Sequence, residues 1–359
     1  MRMYRMLCLA ALAASLSAAA LDQVEVFRSG DGYKSFRIPA LIATTKGTLL
    51  AFCEGRSAEN DTANIDLLLR RSKDGGRTWL PRQTVWDFGE DVAGNPAPVV
   101  DRKTGTIWLL MTSNPGTVPE KMIVDGSDLG TRTVWVTHSD DDGATWAKPD
   151  EITKSVKRAD WTWYATGPGN GIQLKNGRLV IPCDHYVRGT KVKHSHVVYS
   201  DDHGKTWQIG GVAGDGTNES AVAELADGSL LLNMRSYHGK HRRAVARSTD
   251  GGLNWSELTF DEALIEPVCQ ASLIRAGKGN RLLFSNPASE KRENLTVRLS
   301  EDGGKTWPRS KVLHAGPAAY SNLAMLPGGA VGCLYERGEK KAYEVITFAR
   351  FPLSLLRRP

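Results

Sequence analysis

The chain has 359 residues, 41% of them hydrophobic, and carries 46 Lys and Arg against 40 Asp and Glu, a net charge of +6. That excess is small and forms no basic run, so nucleic acid is not an expected partner. The cysteine spacing gives no zinc pattern, no metal or other cofactor is indicated, and the apolar run at the N-terminus is too short to span a bilayer.

Residues 1–20 carry Arg2 and Arg5, then an apolar run over 6–16, then small residues over 17–20. This is the pattern of a secretory signal peptide, and it predicts export to the periplasm or outside the cell. Loss of the two arginines would lower the charge from +6 to +4 and leave a single domain over 21–359. Four cysteines would remain, Cys53, Cys183, Cys269 and Cys333, each within or at the end of an apolar strand. Buried free thiols are expected, with one disulfide left open by the oxidising compartment.

The mature chain is repetitive. Five segments share the pattern S-x-D-x-G-x-[TN]-W: 72–79 (SKDGGRTW), 139–146 (SDDDGATW), 200–207 (SDDHGKTW), 248–255 (STDGGLNW) and 300–307 (SEDGGKTW). In such a box Asp bonds backbone N–H groups of a turn, Gly supplies positive φ, and Trp is an apolar plug. The boxes start 67, 61, 48 and 52 residues apart, the length of a four-stranded propeller blade.

A second repeat of tight Gly turns precedes apolar runs at Gly47, Gly105, Gly177, Gly228, Gly279 and Gly328–Gly329. Each unit therefore reads strand, Gly turn, strand, variable loop, strand, box, strand. The prediction is an all-β fold, a six-bladed β-propeller of four-stranded antiparallel sheets. The sixth unit lacks a box; residues 343–351 would be its third strand, and residues 23–27 would close the ring as its last.

In such blades the start of strand one, the end of strand two and the start of strand three share one mouth of the propeller. That mouth collects Arg37, Asn95, Glu219 and Tyr320 from strand-one starts, and Glu54, Arg56, Asp61, Asp184, Arg235, Arg292 and Glu336 from after strand two. Three arginines from different blades would repel one another unless an anion lay between them, so an acidic ligand is expected.

With the segment FRIP at 36–39 ahead of five boxes, GPG at 167–169 and NPAS at 286–289, the mature chain resembles the sialidases (neuraminidases), the bacterial and animal exo-sialidases with a six-bladed propeller. The resemblance implies that Arg37, Arg235 and Arg292 bind the carboxylate of sialic acid. Arg298 is the rival for the third place, but it lies two residues before a box, near the opposite rim. Arg292 lies eight residues before Ser300, about 26 Å along an extended strand.

The resemblance further implies Asp61 as acid/base, Tyr320 as nucleophile and Glu219 as the base that activates it. Glu336 would hold Arg37, with Glu54 a second supporting carboxylate. Arg56 would contact the sugar's 4-hydroxyl, and Asn95 stands where some relatives have Asp.

The implied activity is hydrolysis of terminal sialic acids from glycoproteins, gangliosides and oligosaccharides, with retention, by a monomer needing no cofactor. Asp61 is expected to have a raised pKa once substrate displaces water. A lectin-like propeller and a transferase or intramolecular trans-sialidase are the alternatives. Trp161, Trp163 and Tyr164 would either contact the aglycone or pack the rim.

Overall fold

In the computed structural model, which describes residues 21–127 and 129–356, each predicted Gly turn joins two strands. Gly47, for example, holds φ at 86° and donates its N–H to Thr44 O at 3.0 Å between Ser35–Ala43 and Leu49–Arg56. A side chain would be strained there, which is why glycine recurs at this step. The predicted signal peptide lies outside the described residues.

The strands form small antiparallel sheets arranged as a β-propeller. The first sheet is Ser35–Ala43, Leu49–Arg56, Ile65–Ser72 and Gln83–Trp86. The second is Gly94–Val100, Ile107–Ser113, Thr133–Ser139 and Asp150–Glu151. The third runs Trp161–Thr166, Leu179–Val187, Lys193–Ser200 and Gln208–Asp215, with Ile172–Gln173 added beside Leu179–Val187. The fourth is Thr217–Glu224, Leu230–Ser236, Arg242–Ser248 and Thr259–Ile265.

Hydrogen bonding thus differs from the sequence expectation of six separate four-stranded sheets. It gives five, because the strands expected as the fifth and sixth blades form one seven-stranded sheet. The cause is a single 17-residue strand, Arg309–Met325. Its first half pairs with Glu293–Ser300 and its second half with Ala330–Arg337, so no loop divides the two units. At the far edge Asp22–Arg28 pairs antiparallel with Val345–Pro352, as the ring-closing segment requires.

The boxes behave as hydrogen-bonded tips. Ser72 Oγ accepts the N–H of Gly76 at 2.8 Å, and Asp74 accepts the N–H and hydroxyl of Thr78 at 2.9 and 2.6 Å. The same bonds recur around Asp141, Asp202, Asp250 and Asp302.

Each box tryptophan reaches the sheet before its own. Trp79 packs edge-on to Phe348 and Trp146 to Phe52, while Trp207 shares a core cluster with Leu110 of the second sheet. Trp255 Nε1 donates to Gly211 O, and Trp307 Nε1 to Asp261. The box is therefore a joint between blades as well as a turn.

Cys53, Cys183, Cys269 and Cys333 are buried and unpaired, so the disulfide left open by the sequence is not formed among the described residues. Among the described residues no helix is long and apolar enough to cross a membrane.

Candidate active site

The first strands of the first, second and fourth sheets and the second half of Arg309–Met325 carry a shared irregularity. Opposite Cys53 stand two residues, Ile38 and Pro39; opposite Met111, Asn95 and Pro96; opposite Arg235, Asn218 and Glu219; opposite Glu336, Ala319 and Tyr320. These are β-bulges, which bend a strand and re-aim its side chains. Ile38 and Asn95 take left-handed φ of 59° and 54° to make them, a costly conformation for the β-branched isoleucine. The extra residue turns Arg37, Asn95, Glu219 and Tyr320 to the same mouth.

There they line one cavity of about 300 Å³, together with Glu54, Arg56, Asp61, Asp184, Arg235 and Arg292. Of the rim residues read from the sequence, only Glu336 is outside this lining. It lies fully buried behind it, where it holds three groups. Its carboxylate accepts Arg37 Nε at 2.7 Å, the Ile38 N–H at 2.9 Å and the Tyr320 N–H at 3.0 Å. One buried carboxylate thereby ties the first sheet's arginine to the tyrosine's backbone.

The three arginines surround Tyr320. Arg37 lies 5.3 Å and Arg292 5.7 Å from the centre of its ring, and Arg235 Nη1 donates to its hydroxyl at 3.2 Å. Arg235 also pairs with Glu219 at 2.7 Å. Arg292 has no carboxylate at salt-bridge distance among the described residues, and donates to Tyr343 Oη at 2.7 Å. An unneutralised guanidinium beside two half-neutralised ones is an anion site. Arg298, the rival for the third place, is instead near Asn286 and does not line the cavity.

Tyr320 Oη donates to Glu219 Oε1 at 2.5 Å. Burial first, and then the Glu219 charge, push the phenol well above its usual range, against the pull of Arg235 and Arg292. The tyrosine is therefore neutral, with a proton acceptor already in contact.

Arg56 lies between two carboxylates, 2.5 Å from Glu54 and 2.6 Å from Asp61. Glu54 also accepts the Asn95 N–H at 2.7 Å. Burial pulls Asp61 upward, but Arg56 and then Arg37 outweigh it and hold the carboxyl below its usual range. The sequence led us to expect a raised pKa with substrate present; without it, the direction is opposite, because Arg56 is a direct partner. The Asp61 side chain is 55% exposed, on the loop between Leu49–Arg56 and Ile65–Ser72.

Of the three aromatic residues before the third blade, only Trp163 lines the cavity. Trp161 and Tyr164 are core residues: Trp161 stacks on His185 at 3.5 Å, and Tyr164 Oη meets His196 Nε2 at 3.0 Å.

Sequence reasoning missed Arg132, Glu120, Tyr237 and Tyr343, which line the same cavity. Arg132 is buried, bonded to Asn95 Oδ1 and to Asn114 Oδ1 at 2.9 Å, and lies 3.8 Å over the Trp163 ring. Arg132 and Tyr343 both lie just before third strands, Thr133–Ser139 and Val345–Pro352, and that position is the signal that could have found them. Glu120 begins a five-residue helix inserted into the second sheet, where no repeat could signal it.

The family described as BNR repeat-like domain matches residues 38–333. The chain is 37% identical over 356 residues to a sialidase of Micromonospora viridifaciens, covering 91% of this chain and 53% of that protein. It is thus similar to a relative of which it spans about half. An exo-alpha-sialidase of Aspergillus fumigatus is 33% identical over 381 residues, covering 93% of this chain and 90% of the relative. Among solved structures, a Hadza microbial sialidase superposes with a TM-score of 0.85 at 35% identity, covering 92% of this chain and 68% of that one. With the repeat domain and the full-length likeness both in place, the chain belongs to the sialidase family.

Proposed function

We propose that the chain is an exo-α-sialidase that hydrolyses terminal sialic acids from glycoproteins, gangliosides and oligosaccharides, with retention through a tyrosyl-enzyme intermediate. The observation that carries this reading is the Tyr320 hydroxyl, 2.5 Å from a carboxylate and surrounded by three guanidinium groups. A sugar whose anomeric carbon bears a carboxylate needs those groups together. Arg37, Arg235 and Arg292 take the carboxylate, and a neutral phenol approaches where an anionic nucleophile would be repelled.

Tyr320 Oη bonds to the anomeric carbon as its proton passes to Glu219. The bond to the aglycone oxygen breaks as that oxygen takes a proton from Asp61. Water then attacks the anomeric carbon and gives a proton to Asp61, and Tyr320 departs with the proton held by Glu219. Two displacements at one carbon retain its configuration. Asp61 acquires its acid form when substrate draws Arg56 onto a ring hydroxyl and sets an anion beside Arg37, removing the two charges that hold it ionised.

The same reading counts the seven-stranded sheet as two blades joined by their shared strand, giving six. It is supported by a cavity of about 430 Å³ on the channel, to which six inner segments contribute Leu41, Val99, Ile172, Ala223, Ile274 and Ala324. Export by residues 1–20 and action as a single-domain monomer in the periplasm or outside the cell complete the proposal and rest on the sequence.

Incubation with a fluorogenic aryl sialoside, with the released sugar followed by proton NMR, tests the reading. The α-anomer of free sialic acid should appear first. Release of the β-anomer first would remove the tyrosyl intermediate, and no release would remove the hydrolase.

A further inference from the structure

Asp184 is a carboxyl without a partner. It ends the apolar run of Leu179–Val187, pairs through its backbone with Ala165 and Ser195, is 1% exposed, and still lines the active-site cavity. Neither carboxyl oxygen has a hydrogen-bond partner, while Glu54, Glu219 and Glu336 around the same cavity are each held by an arginine. An unpaired buried carboxylate is costly, and such a group stays protonated instead. The charged groups facing it are of both signs: Glu219 and Arg235 come from the fourth sheet, Arg132 from the second, and Glu120 from the short helix. Burial first, then Glu219, push the carboxyl well above its usual range, with Arg132 and Arg235 opposing. Its own strand adds Cys183 and the buried His185, the latter kept neutral by burial.

Position gives this neutral acid its task. The carboxylate-binding arginines and Tyr320 come from the first, fourth and seven-stranded sheets. A pyranose acid anchored there directs its other substituents toward the second and third sheets, where Asp184 waits with Arg132 and Trp163. We propose that Asp184 is a specificity-determining residue that, as a neutral acid, donates and accepts hydrogen bonds with an uncharged polar substituent, a hydroxyl or acylamino group, on the part of the sugar acid remote from its carboxylate. The identity of the sugar acid rests on the function proposed above. A carboxylic acid offers an O–H donor and a C=O acceptor side by side, complementary to either group. A site built to hydrogen-bond a substituent also penalises its absence, because the buried carboxyl is then left unpaired.

The test uses the full-length protein and reads affinity for N-acetyl sialic acid by calorimetry, beside kcat and KM on an aryl sialoside. Asp184→Leu should weaken binding and raise KM about tenfold, with kcat moved less than about threefold. Asp184→Asn keeps a donor and an acceptor and should recover affinity to within about threefold of the wild type. Melting of Asp184→Leu at or above the wild-type temperature would accompany this, since an unpaired buried carboxyl is removed; Asp184→Ala replaces it if the leucine variant does not fold.

A sugar with hydrogen in place of acylamino and a sugar with a shortened side chain identify the substituent. The leucine penalty should vanish for the one lacking the partner. Wild-type affinity in Asp184→Leu, equal damage in Asp184→Asn and Asp184→Leu, or an undiminished penalty with both analogues would each overturn the assignment. Because binding is read without turnover, a wild type that binds in an Asp184-dependent way yet releases no sugar would defeat the hydrolase alone.

Discussion

Arg56 Nη1 lies 2.6 Å from Asp61 Oδ1 while the same guanidinium holds Glu54 from its other side. The acid of the proposed reaction is thus ionised in the free cleft, its pKa held down by the residue expected to bind the sugar ring.

This fixes a direction in pH. The depressed carboxyl takes up its proton only at acid pH, so kcat/KM, which reports the free enzyme, should fall as pH rises from the acid side. In Arg56→Gln the cation is gone and Asp61 titrates higher, so the descending limb should move to higher pH even though overall efficiency drops. A limb that stays in place would separate Arg56 from the acid.

Tyr320→Phe removes the group held by Glu219 and Arg235. Turnover should fall by about 10²–10⁴ with KM within about threefold, because the phenol acts in the transition state and the arginines still bind. Near-normal turnover measured on the aryl sialoside would take Tyr320 out of the reaction.

Asp61→Asn should damage natural glycosides far more than aryl sialosides, since a phenolate departs without a donated proton. Equal loss on both substrates would mean that Asp61 does not act as an acid.

Arg292 and Arg298 are six residues apart in sequence, but only Arg292 faces the cavity. Arg292→Ala should lower kcat/KM by about 10²-fold or more, through the loss of a charge-assisted contact to carboxylate worth about 1.5–3 kcal/mol and of transition-state stabilisation. Arg298→Ala should leave it within about twofold. Steady-state kinetics of the pair decide between them.

Asp250 accepts the backbone and side-chain N–H groups of Asn254 at 3.0 and 2.7 Å, and its pKa is held at about 2, first by the Asn254 side chain. A depressed carboxyl contributes stability that is present above its unfolded pKa and lost as pH falls through the folded one, here between about 4 and about 2. The group is exposed, so solvent screening keeps the pH-linked part small. Asp250→Ala should cost about 1 kcal/mol from the lost hydrogen bonds, with activity per folded molecule retained. The variant should also lose less stability than the wild type between pH 4 and pH 2, as followed by thermal melting; an unchanged acid response would show the box carboxylate contributes nothing to it.

The repeat was legible because its information is local. Box turns need Asp, Gly and Trp at fixed offsets whatever surrounds them, and strand alternation follows from each blade having its own grammar. The rim rule then placed Arg37, Glu219, Arg235, Arg292 and Tyr320 at one mouth, because strand starts and ends are set by the same turns. Arg132 and Tyr343 precede third strands and were not singled out, because chain position alone does not say which side chain turns inward.

Three things lay beyond the chain's own pattern. The bulges at Ile38, Asn95, Glu219 and Tyr320 depend on pairing with a partner strand. Asp61 is depressed because Arg56 leans on it, and Asp184 lacks a partner because of what the third sheet buries around it; both are facts of distance and dielectric. The sequence by itself determined the blades, their turns and the mouth at which the charged residues gather, since those follow from short-range chemistry. Only the tertiary structure decided the merged seven-stranded sheet, the opposite directions in which Asp61 and Asp184 are shifted and the aim of each side chain, because these depend on contacts between residues distant in the chain.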